Sequence, residues 1–270
     1  MLDIRIDKAT NAVANAISTA RDVPLRVIPY AAASALTRVA KAGQKAVVSE
    51  MPRVFDRPTP YTQNSLYVEP ANKDKLVSQV AVKTKAGNSA VASENFLYPE
   101  VFGGARKSKR FENAFRYAGI LPRGSSMVAS QASGLLDAYG NISGPRMVQL
   151  ISYFGGFSEQ GYRANMGAKG RRRLARYGKS ERGYRTINGV RYFAITPDMP
   201  NFSRQGLAPG IYAASGIHGG NVRPVLLFTR RAPTYRSRLP FHSIVQRTVA
   251  TQFADEFNSA AQDILARGSR

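Results

Sequence analysis

Between Met51 and Pro70 the sequence reads MPRVFDRPTPYTQNSLYVEP, and no single kind of secondary structure can run through it. Pro58 and Pro60 each lack a backbone N–H and crowd the residue before them, which ends a helix. Upstream lies an alanine-rich pattern with helical spacing; downstream the apolar residues alternate as in strands. Arg53, Asp56 and Arg57 are interleaved with Val54, Phe55 and Tyr61. The stretch therefore reads as a rigid corner that sets a long helix against a sheet. Asp56 is expected to pair with a neighbouring arginine, a purely structural role for the corner residues Arg53, Phe55, Asp56, Arg57, Pro58 and Pro60.

The helix before the corner is expected over about residues 29–50. Pro29 suits a first helical turn, and Ala33, Leu36, Ala40, Gly43 and Val47 fall on one face. The small residues Ala33, Ala40 and Gly43 permit another backbone to approach closely, either within the chain or from a neighbouring subunit. A first element spans residues 1–23, with Ile4, Ile6, Val13, Ala16 and Ile17 as its apolar pattern and Thr10 or Asn11 as N-cap. After the corner, 65–71 and 75–85 read as an antiparallel strand pair turning at Asn72-Lys73-Asp74. The segment Phe96 to Phe102 reads as an apolar turn.

A short helix is expected after Gly103-Gly104, capped by Ser108, with Phe111, Ala114, Phe115 and Ala118 buried and Gly119 stopping it. Arg106, Lys107, Lys109 and Arg110 crowd its N-terminus against the helix dipole, an arrangement that either stays solvated or holds an anion. Residues 121–133 read as irregular. Another helix runs from about Pro145 to Phe154. Asn188-Gly189 between YRTI and VRYFAIT marks a type I′ hairpin, and 210–215 and 221–229 extend the sheet. The last helix spans about 240–266, with Ile244, Thr248, Thr251, Phe253, Phe257, Ala260, Ala261 and Ile264 on its apolar face. The fold class is α+β in one domain, 1–270: a mainly antiparallel sheet flanked by a long N-terminal helix and a C-terminal helix, with long basic loops.

Charge is the other strong constraint. The chain carries 39 Lys and Arg against 17 Asp and Glu, a net of +22. Residues 161–240 hold 16 of those cations against Glu181 and Asp198 alone. Within them, 161–185 reads GYRANMGAKGRRRLARYGKSERGYR, with five glycines and too few apolar residues for a core strand. It is expected to be a flexible arm. Its contact candidates are Arg163, Lys169, Arg171, Arg172, Arg173, Arg176, Lys179, Arg182 and Arg185, with Tyr177 and Tyr184 available for stacking. Arginine grips phosphate and tyrosine stacks on bases, so the arm fits nucleic acid; it equally fits an acidic protein neighbour.

Catalytic constellations are not found. There is no cysteine, which excludes disulfides and thiolate chemistry. The two histidines, His218 and His242, lack further ligands at metal-binding spacing. No phosphate loop or nucleophile elbow is present; Gly167-Ala-Lys-Gly170 continues into arginines. Carboxylates are scattered. The expectation is a protein that is not an enzyme, needs no cofactor or metal, and has neither a transmembrane run nor a signal core, hence one made and kept in a cytosol.

The blocks VFDRPTPYTQNSLYVEPA, LVSQVAVK and YPEVFGGARKSKRFENAFRYAGILP, following the alanine-rich helix, resemble bacteriophage tail proteins of the minor tail protein Z (tail-completion) family over about residues 31–150. No active-site motif belongs to the resemblance. It implies a structural part of a tailed-phage virion, made in the host bacterial cytoplasm and working as a homo-oligomeric ring in the tail or neck. The implied partners are portal, adaptor or tail subunits, with phage DNA in contact and no membrane. A free basic nucleic-acid-binding protein is the other reading that the charge leaves open.

Overall fold

The computed structural model describes residues 2–7, 10–20, 23–84, 92–155, 186–197, 206–216 and 220–268. The fold is α+β, with antiparallel sheets, a long N-terminal helix and a long C-terminal helix. Where the sequence reads as one domain, the residues form two compact units. One comprises Met1–Gly104 with Thr234–Arg270, and the other Ala105–Pro233. The strands β4 (Gly104–Ala105) and β10 (Thr234–Tyr235) lie where the chain leaves the first unit and returns to it.

The first unit is built on two long helices, α2 (Ile28–Val54) and α7 (Phe241–Gly268). Arg38 reaches Glu256 and Asp263, while Gly43 lies against Val245, so the helices run antiparallel. A Cβ on Gly43 would sit 3.3 Å from Val245 Cγ1. The small-residue stripe of α2 is thus matched within the chain, by α7. Ala32, Leu36, Val39 and Val47 of α2 and Val245, Val249, Phe253 and Phe257 of α7 are all essentially inaccessible to solvent. The apolar face of α7 begins at Phe241 and continues through Val245 and Val249, and Thr251 is exposed. The four-residue spacing from Val245 to Phe257 keeps one stripe in register with the partner helix.

A three-stranded sheet, β1 (Asp3–Asp7), β3 (Val77–Val82) and β2 (Leu66–Glu69) in that order, packs on α2 through Ile6, Leu66, Val80 and Val82. Where one element is expected over residues 1–23, the described residues form a strand followed by α1 (Asn11–Thr19), which Thr10 precedes as N-cap. The segment read as an apolar turn is helix α4 (Glu94–Phe102), despite Pro99 inside it. Gly103, at φ 78°, ends it.

The second unit is a five-stranded antiparallel sheet in the order β5 (Ser126–Ala129), β9 (Asn221–Thr229), β8 (Gly210–Ser215), β7 (Val190–Ile195), β6 (Thr186–Ile187). Helices α5 (Arg110–Tyr117) and α6 (Gly144–Tyr153) supply Phe115, Leu150 and Ile151 to its core, against Met127, Tyr192, Ile211 and Leu226 of the sheet. Tyr153 ties α6 to β7: its hydroxyl donates to the Tyr192 carbonyl at 2.9 Å and accepts from the Tyr192 N–H at 3.2 Å. Asn188 and Gly189 both adopt positive φ, 52° and 77°, as a type I′ hairpin requires. The stretch 121–133 is more regular than its sequence indicates, containing β5 and the short 3₁₀ turn Gln131–Ser133.

Candidate functional site

The arm candidates Arg163, Lys169, Arg171, Arg172, Arg173, Arg176, Tyr177, Lys179, Arg182, Tyr184 and Arg185 lie outside the described residues, as does His218. The corner is described in full. Helix α2 runs to Val54, four residues past the expected end, and Phe55 turns to extended backbone while its N–H still reaches the Met51 carbonyl at 2.9 Å. Arg57 takes the left-handed region, φ 46°, and its guanidinium grips both carboxylate oxygens of Asp56 at 3.1 Å. That hydrogen-bonded arginine holds the Asp56 carboxyl below the usual carboxylate range. Arg53 pairs back to Glu50 at 3.2 Å, and the Arg238 guanidinium stands over the Phe55 ring at 5.8 Å. Thr59 caps the next short helix, α3 (Pro60–Gln63), accepting from the Thr62 N–H, and Pro58 bridges the two. Arg53, Asp56, Arg57 and Thr59 all have architectural partners, whereas the buried Ser65 hydroxyl has none among the described residues, and no pair of carboxylates converges here.

Beside the corner an open depression of about 390 Å³ lies between α2 and β2, lined by Gln44, Lys45, Ser49, Gln63, Asn64 and Lys83 among others. It offers two amines and no carboxylate. Among the described residues no three His, Asp or Glu side chains gather as a metal site, and no helix is long and apolar enough to cross a membrane.

The most concentrated electrostatic feature sits in the second unit. Helix α5 starts at Arg110, and Lys109, not Ser108, is its N-cap. The capping group is Glu112. Its side chain is wholly buried, and its oxygens accept from the Lys109 N–H at 2.7 Å and the Met127 N–H at 2.8 Å. Arg106 completes the set with two bonds, at 2.5 and 2.9 Å. Burial alone would raise the Glu112 pKa. The Arg106 bonds, followed by those from Met127 and Lys109, outweigh it and hold the carboxyl below its ordinary value. One carboxylate thus ties the entry of α5 to the first residues of β5.

Around this anchor stand cations from three separate stretches. Lys107, Lys109 and Arg110 are exposed at the start of α5. Arg123 is exposed in the turn before β5. Arg230 and Arg231 follow Thr229, which pairs with Ser126 at the start of β5. Arg116 braces the turn from below, donating to the Ser125 carbonyl at 2.6 Å and to Asn113 Oδ1 at 2.7 Å. Pro233 closes the ring of segments by accepting from the Arg106 N–H at 3.5 Å. Glu112 is spent on Arg106, and Asp137 accepts from the N–H groups of Tyr139 and Asn141 in its own turn. They are the only carboxylates among the described residues of this unit, against eleven Lys and Arg.

No family model, curated protein or solved structure matches the chain.

The partition of charge follows the division into units. Residues 105–233 contain 21 Lys and Arg against 5 Asp and Glu, a net of +16, out of +22 for the chain. Sequence reading sees the basic run before α5 but not the carboxylate beneath it. The signal was present: a glutamate three residues after the N-cap is the position that reaches back to the cap N–H. The convergence of Arg123, Arg230 and Arg231 has no local signal, since it depends on β5 pairing with β9 across about a hundred residues.

Proposed function

We propose that the chain is a structural component of a tailed-bacteriophage virion: a tail-completion, head–tail connector (neck) or minor tail protein that acts as a homo-oligomeric ring. The observation that carries this reading is the block Tyr98–Pro122, which resembles the tail-completion family. Its only two carboxylates, Glu100 and Glu112, are both consumed in architecture. Glu100 binds the Arg238 guanidinium at 2.8 Å, and its carbonyl accepts from the Arg238 and Leu239 N–H groups. Glu112 anchors α5 as described. Both carboxylates of the block hold a shape, and neither is left over for acid–base chemistry.

A closed ring repeats each subunit's surfaces around its axis. A charge of +16 in one unit, so repeated, calls for phage DNA in the channel or an acidic portal, adaptor or tail subunit outside it. The same partition favours one other reading, a free nucleic-acid-binding protein. The two differ in the isolated chain. A dedicated binder holds DNA far more tightly than the roughly 10⁻⁴–10⁻⁶ M of nonspecific association at physiological salt. A ring component stays within that range and assembles only with its partners.

The test is a phage whose copy of this chain lacks residues 161–185. The ring reading expects a purified deletion protein with the far-ultraviolet dichroism of the intact chain, and heads and tails that fail to join. Normal yields of infectious particles would contradict it.

A further inference from the structure

We propose that the exposed cations at the β5 start and β9 end of the second unit, Lys107, Lys109, Arg110, Arg123, Arg230 and Arg231, form a docking surface for the phosphate backbone of a nucleic-acid duplex. The surface is distinct from the 161–185 arm and does not rest on the virion reading.

The cations are brought together by the buried Glu112 carboxylate and by strand pairing. Arg106 and Glu112 hold the 106–110 segment against Met127, and the Ser126–Thr229 pairing brings the 230–231 turn to the same end of the sheet. The Thr229 hydroxyl donates to the Arg231 carbonyl at 3.0 Å and fixes that turn. None of the six is ion-paired to a described carboxylate. Three of them crowd the positive end of α5, where the one carboxylate, Glu112, is already bound to Arg106, so among the described residues the three have no counter-charge of their own. Such a surface stores repulsion that a polyanion relieves.

The chemistry selects among anions. Cations spread over three segments suit a charge lattice and not a single phosphate; a duplex carries one charge per about 1.7 Å of axis. Protein interfaces are centred on apolar anchors and depleted in lysine. Among the described residues of the unit, the large exposed apolar side chains, Tyr117, Val128, Tyr139 and Val222, lie in none of the three basic stretches. No exposed ring among the described residues stands in these stretches, which disfavours single strands, since those need stacking platforms.

The experiment is fluorescence anisotropy with the full-length chain and a fluorescein-labelled duplex of arbitrary sequence, titrated across salt. Six phosphate contacts give a slope of log K against log salt of about −5, a loss of roughly 10³-fold between 50 and 200 mM. One variant replaces the six cations by alanine. A charge-matched control replaces Arg26, Lys41, Lys45, Lys83, Arg247 and Arg267, all exposed in the first unit. The patch variant is expected to lose at least about 10²-fold at 50 mM and to flatten the slope by about five, and the control to change by less than about threefold. A milder variant, Arg123→Gln with Arg230→Gln and Arg231→Gln, flattens the slope by two to three units, about one per lost contact, and serves if the sixfold variant misfolds. Equal losses in patch and control variants, an unchanged slope in either patch variant, or binding to polyglutamate in place of DNA would each overturn the proposal.

Discussion

Replacing Glu112 by glutamine preserves size and removes one charge, and its consequence can be worked from the geometry. The two carboxylate oxygens accept four hydrogen bonds, from Lys109 N–H, Met127 N–H and two Arg106 nitrogens. Glutamine supplies one carbonyl oxygen and an NH₂ group that must face donors. The Arg106 guanidinium, with a side chain 8% exposed, is left without its counter-charge. Breaking one partner of a buried pair costs about 3–5 kcal/mol. At 1.4 kcal/mol per tenfold, amides of 110–129 that exchange through opening of this region should exchange roughly 10²- to 10⁴-fold faster. Hydrogen exchange with mass spectrometry reads this directly, with urea melts followed by far-ultraviolet dichroism, since the chain has no tryptophan. The double variant Arg106→Met with Glu112→Gln removes the stranded guanidinium, so its cost should fall below the sum of the singles. The pH dependence carries the same signature. A lowered folded-state pKa means that the unfolded chain binds the proton more tightly. The stabilisation is therefore complete above the ordinary value of 4.5 and is lost as pH falls through the lower folded value. The gap between the intact chain and Glu112→Gln should narrow below pH 4.5. Exchange within threefold of the intact chain, or strict additivity in the double variant, would refute the reasoning.

Three further outcomes follow from packing. A Cβ at position 210 would lie 2.6 Å from the Leu226 carbonyl oxygen, at a register shift between β8 and β9, so Gly210→Ala should lower the urea midpoint by an amount worth about 1–3 kcal/mol. Gly43→Leu should separate α2 from α7 at Val245 and lower the melting temperature by several degrees, whereas Gly43→Ala, with 3.3 Å to a rotatable methyl, should change it far less. Phe253→Ala, at a site with no solvent exposure, should cost about 3–5 kcal/mol in the same urea melts.

Local chemistry was the legible part of the fold. The Asn188-Gly189 hairpin, the turn at Gly119, the corner at Pro58 and Pro60 and both long helices are written in short patterns that the structure repeats. Features decided by distant partners were not. Leu2, Ile4 and Ile6 alternate as a strand, but only β3 gives that strand its ladder, so the segment blended into the helix that follows. Helix α4 contains Pro99, a local argument against it, and persists because Leu97 and Val101 are buried in the core while Glu100 binds Arg238. The stripe on α2 showed that something packs closely, but only the fold identifies α7 as what does. Of the candidate site, the density of basic residues was visible, whereas the carboxylate that organises one cluster of them, and the turn from β9 that joins it, depend on contacts far apart in sequence.

The central claim is that this chain is a fixed part of a virion. Mass spectrometry of purified particles, intact and separated into heads and tails, tests it most directly. The account predicts the chain in the neck or tail fraction at a small fixed multiple, about six or twelve copies as closed rings require. Particles that are infectious and lack the chain would contradict it.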